Sequence, residues 1–155
     1  MSLAEPDRIS IWLPLAVSAG AVVATIAIHA LAVTTTVNFV RREIKLRRAG
    51  AGFWPDVTIV SVAISIALVA HLLEIGVWAA LFMLCREFPA FATAYYHSAV
   101  NYTTLGYGDL IMTPRWRLLG PLEAATGMLM FGVSTANTFA VIQRLILARF
   151  ADLRV

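Results

Sequence analysis

The sequence predicts an all-α membrane protein, and three observations carry that reading. Of 155 residues, 60% are hydrophobic and 14% charged, with mean hydropathy +0.80, whereas soluble domains run at roughly 45–50% apolar and about 25% charged. The apolar residues gather in three long runs, 11–40, 57–84 and 118–147, each longer than the roughly 20 residues that cross a hydrocarbon core as a helix. Between the second and third runs, residues 91–102 read as a helix of about 18 Å, too short to cross a core of about 30 Å. That helix is expected to be re-entrant or interfacial.

The first run carries no formal charge and one histidine, His29. It is too long for a secretory signal, and residues 1–10 hold Glu5, Asp7 and only Arg8, so it is expected to stay as a spanning helix. A basic linker follows over 41–56, with Arg41, Arg42, Lys45, Arg47 and Arg48, then the flexible stretch 49–52 and Trp54-Pro55-Asp56. Proline and a carboxylate suit a helix first turn, and tryptophan suits the membrane interface. The second run, 57–84, is interrupted only by His71 and Glu74; the third carries Glu123 near its start and Arg144 near its end.

Charge and cysteine content remove other classes. Disorder is excluded by hydropathy, and the single Cys85 builds no intrachain disulfide framework. The net charge of +3 and pI near 9.5 come from cations flanking apolar runs, which points to membrane lipids and insertion topology and not to nucleic acid. Eight cations in the linker and tail against Arg8, Arg86, Arg115 and Arg117 on the other side favour a cytoplasmic linker and carboxyl terminus with the amino terminus outside. The expected organisation is a peripheral helix with its leading segment over 1–40, the linker 41–56, a domain 57–147 that holds the two later runs and the short helix, and a short tail 148–155.

Directly after the short helix stands Thr103-Thr104-Leu105-Gly106-Tyr107-Gly108-Asp109. Irregular backbone at membrane depth is tolerated only where protein buries it or it lines water. Two glycines around a tyrosine open backbone angles closed to other residues, so successive carbonyls can turn toward one axis and present a cation site.

This TTLGYGD segment resembles the selectivity filter of the potassium channel superfamily, with Leu105 in place of the commoner valine or isoleucine. The likeness extends over about 57–147 and looks like the bacterial two-helix pore module with one added amino-terminal helix. It implies potassium coordination by the carbonyls of Thr104, Leu105, Gly106 and Tyr107, with Gly108 completing the filter and the Thr104 hydroxyl facing a cavity. It also implies a homotetramer, since one chain brings one loop and a ring of ligands needs four. The carboxyl end of the short helix would then aim its negative dipole end at the cavity. No cofactor is implied beyond the permeant ion.

Departures from the family pattern are readable as well. Many relatives carry a glutamate behind the filter where this chain has Val100, and a tryptophan where it has Tyr96, which could donate to Asp109 instead. Thr103 and Glu123 are further candidates for filter support. In the third run Gly127 stands near the family's hinge glycine, and Gly127, Phe131, Thr135 and Phe139 share one helix face by their i, i+4 spacing. That face suits a pore lining with a narrowing at Phe139; the same glycines also suit close helix packing, and the phenylalanines a lipid or core face.

His29, His71 and Glu74 are ionisable groups at membrane depth, which are functional candidates by default. A proton-sensitive helix contact is one reading and neutral hydrogen-bonded groups the other; a metal site would need further ligands. The first run lacks the arginine series of a voltage sensor. The expectation is therefore a non-enzymatic, potassium-selective channel subunit. A weakly selective cation pore and a non-conducting regulatory subunit are the alternatives, and any accessory partner is unknown.

Overall fold

A computed structural model describes residues 11–150; Arg8 and Arg154, both counted in the orientation argument, lie outside the described residues. Four helices and no strand are present among them: α1 (Trp12–Lys45), α2 (Phe53–Leu84), α3 (Phe91–Tyr102) and α4 (Leu119–Arg149). α1, α2 and α4, of 34, 32 and 31 residues, are each long and apolar enough to span a membrane. α3 covers the short helix expected from sequence.

One expectation needs correction. The connection between the first two spans is residues 46–52, because α1 runs on through Arg41, Arg42 and Lys45 and α2 starts at Phe53. Charge ends a membrane span without ending a helix: arginine and lysine are good helix formers, and Arg42 and Lys45 in the last turn complement the dipole.

Three helices end the same way. In each, a non-glycine residue takes a left-handed conformation: Arg47 (φ 55), Arg86 (φ 59) and Thr104 (φ 60). Around each, the paired bonds of a Schellman cap close: Arg48 N to Glu43 O and Arg47 N to Ile44 O, both 3.0 Å; Glu87 N to Phe82 O, 3.1 Å, and Arg86 N to Met83 O, 2.9 Å; Leu105 N to Val100 O, 2.9 Å, and Thr104 N to Asn101 O, 2.8 Å. These bonds satisfy carbonyls that a helix end leaves orphaned, against a left-handed penalty of about 1–2 kcal/mol for a side-chain-bearing residue.

Chain contacts divide the structure into two compact units, one of residues up to Ile26 with Leu73–Leu129, the other of Ala27–Leu72 with residues from Met130 on. The first has Trp78, Phe82, Ala94, Tyr102 and Leu119 fully buried. Glu87, just past α2, accepts from Thr113 N at 2.7 Å and from the Thr113 hydroxyl at 2.6 Å, which ties the segment after residues 103–109 to the α2 end. In the second unit Val40, Ile59, Ala63, Val141 and Leu145 make a core drawn from all three long helices. There Asp56 accepts from Gly50 N at 2.8 Å and pairs with Arg149 at 2.8 Å, fixing the short connection against the last turn of α4.

α1 has an inverted pattern. Its buried positions, Pro14, Ser18, Ala21, Thr25, His29, Ala32, Thr36, Val40 and Glu43, recur every three or four residues along one stripe. Most are small or polar, while Val23, Ile26 and Leu31 are exposed. Lipid is as apolar as leucine, so helices in membranes pack through small residues and leave the large apolar ones outside. The hydroxyls of Ser18 and Thr36 return their protons to the carbonyls of Leu15 and Ala32, each at 3.0 Å, so these two positions carry polar groups at little cost, whereas the buried Thr25 hydroxyl has no hydrogen-bond partner among the described residues.

Candidate functional site

The site starts at the end of α3. Its Schellman cap sets Thr104 left-handed, and Gly106 (φ 60) and Gly108 (φ 72) repeat the sign two and four residues on, while Leu105 and Tyr107 keep negative φ. Alternating hand from residue to residue turns consecutive carbonyls to the same side of the chain, where an extended strand would alternate them. The Val100 carbonyl takes both the Leu105 and the Gly106 N–H, at 2.9 and 3.2 Å, so the loop's first amides face back toward the helix. Among the described residues no backbone bond ends on the carbonyls of Thr104, Leu105, Gly106 or Tyr107. The helix cap thus begins the alternation that the glycines continue, and it leaves four acceptors in a row unspent. The residues of the motif are exposed, Leu105 by 54% and Tyr107 by 66%.

Behind the loop, α3 is held by buried polar contacts. Ser98, fully buried, donates to the Ile75 carbonyl at 2.8 Å and lies in a very short hydrogen bond with Glu123, itself fully buried. The Tyr102 hydroxyl donates to Glu74, again in a very short bond between two fully buried groups. Burial first, and then this bond, push the Tyr102 phenol well above its usual range. His97 sits between Phe82 and Phe88, with ring centroids at 5.4 and 4.8 Å, and burial lowers its affinity for a proton. Its Nε2 accepts from Asn101 Nδ2 at 2.9 Å, which places the ring proton of the neutral imidazole on Nδ1. The two spanning helices thereby grip α3 through its buried side, and Tyr102, its last residue, stands two positions before the first left-handed residue of the loop.

At the far end of the motif Tyr96 donates to Asp109 at 2.8 Å, and that bond holds the Tyr96 phenol above its ordinary range. Thr103 returns its hydroxyl proton to the Ala99 carbonyl at 2.7 Å. Val100 is buried and, through its carbonyl, serves the loop by backbone alone.

Gly127 in α4 faces the same helix end. A Cβ there would lie 2.3 Å from the Tyr102 carbonyl oxygen and 3.1 Å from its carbon. No side-chain-bearing residue fits without moving backbone, so close packing of α4 on the end of α3 is what this glycine provides. Further along, Phe131 stacks on His71 with centroids 4.4 Å apart, and Phe131, Thr135 and Phe139 line, with Ile64, Ala67, Leu68 and His71 of α2, a groove of about 450 Å³. The i, i+4 face is therefore turned to α2 at Phe131.

Of the ionisable candidates, His29 and His71 come together through Ser134, whose hydroxyl lies 3.2 Å from His29 Nε2 and 3.0 Å from His71 Nε2. The hydroxyl therefore bridges the two rings. Glu74 is the acceptor for Tyr102. Ser98, Tyr102, Ser134 and the Glu87–Thr113 pair escaped sequence reasoning. The signal was half present, since a carboxylate at membrane depth demands a donor, but sequence alone does not say which.

The buried Glu123 contact yields a clear expectation. Glu123→Gln keeps a polar partner for Ser98 and should leave the assembled protein's melting temperature within a few degrees of the parent. Glu123→Ala orphans the site and should cost about 1–3 kcal/mol, read as a lowered melting temperature in detergent.

Three spanning helices with a short helix and a left-handed, carbonyl-rich loop between the second and third define a helical membrane protein built around a pore-type module. Residues 70–144, from the middle of α2 through most of α4, match the family model described as Ion channel. No curated protein and no solved structure gave a match.

Proposed function

We propose that the protein is the subunit of a potassium-selective channel, four copies of which surround one axis with residues 104–108 as the filter. The observation that supports this reading is the alternation of backbone hand at Thr104, Gly106 and Gly108, with no backbone bond among the described residues ending on the carbonyls of Thr104, Leu105, Gly106 and Tyr107. Four such loops replace the water shell of a dehydrated monovalent cation by carbonyl oxygens, and the exposure of the motif in the single chain is what a ring closed by other copies requires. Tyr96, Thr103, Asp109, Val100 and Glu123 hold the loop in shape, while Gly127 seats α4 against the helix that feeds it.

In this reading conduction is passive. Ions move between adjacent carbonyl rings, and the carboxyl end of α3, carrying roughly half a negative charge, favours a cation below the filter. The lower α4 face at Thr135 and Phe139 is the gate region. The linker and tail face the cytoplasm, following the cation bias.

Purified protein in liposomes with a potassium gradient and sodium outside should give a reversal potential close to the potassium equilibrium value. A reversal potential near zero would assign it instead to the weakly selective class, which the leucine at 105 and valine at 100 favour, and absence of any flux would identify a regulatory subunit.

A further inference from the structure

We propose a binding site for one anionic phospholipid per chain, in the groove between the last turns of α1 and the lower part of α4. The groove has a volume of about 600 Å³; Val37, Val40, Ala140 and Val141 give it an apolar wall, and Arg41 and Arg144 stand on it from the two helices. A second hollow on the same turn of α1, of about 610 Å³, adds Arg42 and Lys45 and shares Arg41 with the first. Two cations, Arg41 and Arg144, therefore stand on a groove whose other walls are apolar except for Asn137, and Arg42 and Lys45 line the neighbouring hollow.

Charge identifies the occupant. Among the described residues the ion pairs of this unit are Arg48–Glu43 at 3.7 Å and Arg149–Asp56 at 2.8 Å, and both use other cations. Helix carboxyl ends repel anions, so an anion here depends on the guanidinium groups of Arg41 and Arg144, whose planar forks suit a phosphodiester. An apolar wall running away from that phosphate suits an acyl chain. The two needs meet in an amphiphile with a negatively charged head; a zwitterionic lipid would bring a positive group toward this basic turn. Because α4 forms one wall and α1 the other, the lipid would join the added helix to the helix that lines the proposed pore. The site itself is independent of ion selectivity.

The test is native mass spectrometry of the intact, detergent-purified protein offered equal amounts of phosphatidylglycerol and phosphatidylcholine. One phosphatidylglycerol per chain should be retained in preference. The Arg41→Gln/Arg144→Gln variant should retain it about 10- to 30-fold less, at roughly fivefold per cation. Ala140→Trp, which fills the apolar wall and spares the cations, should lose it as well, while excess inorganic phosphate should displace nothing. Helical circular dichroism and the mass of the assembly show that each variant is folded. Equal retention in the double variant would reduce the lipid to general annular contact and overturn the site, and displacement by inorganic phosphate would make it a phosphate site. Absence of lipid, with an assembly that falls apart in Ala140→Trp, would give the groove to a second copy of the chain.

Discussion

Gly106→Ala and Gly108→Ala should each abolish potassium selectivity, with flux in liposomes either lost or equal for potassium and sodium. Both glycines hold positive φ, at 60° and 72°, where an added methyl group costs about 1–2 kcal/mol per residue. In the proposed fourfold ring that cost recurs in every copy, of order 4–8 kcal/mol per assembly, comparable to the whole stability of many domains. The loop escapes by flipping a peptide, which removes a carbonyl from the ring. Space is not the obstacle: within the chain a Cβ at Gly106 meets only the Thr104 carbonyl at 3.9 Å, and one at Gly108 meets nothing within 4 Å. The defect should therefore leave the chain's own packing intact and appear in conduction or selectivity. Parent-like potassium over sodium selectivity in both variants would remove the filter assignment.

Gly127→Ala acts by a different route and should damage more than the proposed filter. Its methyl group would stand 2.3 Å from the Tyr102 carbonyl oxygen, well inside contact, and the atom it meets is backbone. Either α4 withdraws or the end of α3 shifts by around an ångström, and interiors packed at crystal density transmit such shifts. Tyr102 is also the donor to Glu74, so displacement breaks a buried bond and exposes two groups to the cost of burial without a partner. The expected result is loss of potassium flux with a fall in melting temperature of many degrees. A hinge role for the same glycine predicts something else, a shift in open probability with unchanged thermal stability. Measuring both on one preparation separates close packing from hinge.

The spans were legible because hydropathy is a sum over many residues, and the short helix because its length excluded a crossing. The motif 103–109 was legible because its glycines sit at fixed spacing. Other features were not. Nothing in a threonine advertises a left-handed backbone, so the origin of the loop's alternation in the cap of α3 appears only in three dimensions. Arg47 and Arg86 take the same conformation where a glycine would have signalled the helix end. The cations after residue 40 suggested a linker because hydropathy falls there, although the helix's own hydrogen bonds continue to Lys45. The face from Gly127 to Phe139 was drawn from period, but period does not say which neighbour a residue meets: Gly127 meets Tyr102 and Phe131 meets His71.

The stripe of small and polar residues on α1 has a consequence for how the protein is made. Because the large apolar side chains of this helix point outward, it satisfies the lipid without any neighbour and can insert as soon as it leaves the ribosome. Its packing surface, with Ser18, Thr25 and Thr36 on it, offers no hydrophobic gain on association, so pairing awaits helices of matching shape. Insertion and recognition are thus written on opposite sides of one cylinder. Substituting Val23 or Leu31 should alter the yield of inserted protein, whereas a bulkier residue at Ala21 or Ala32 should leave insertion untouched and leave an inserted helix that fails to find its place.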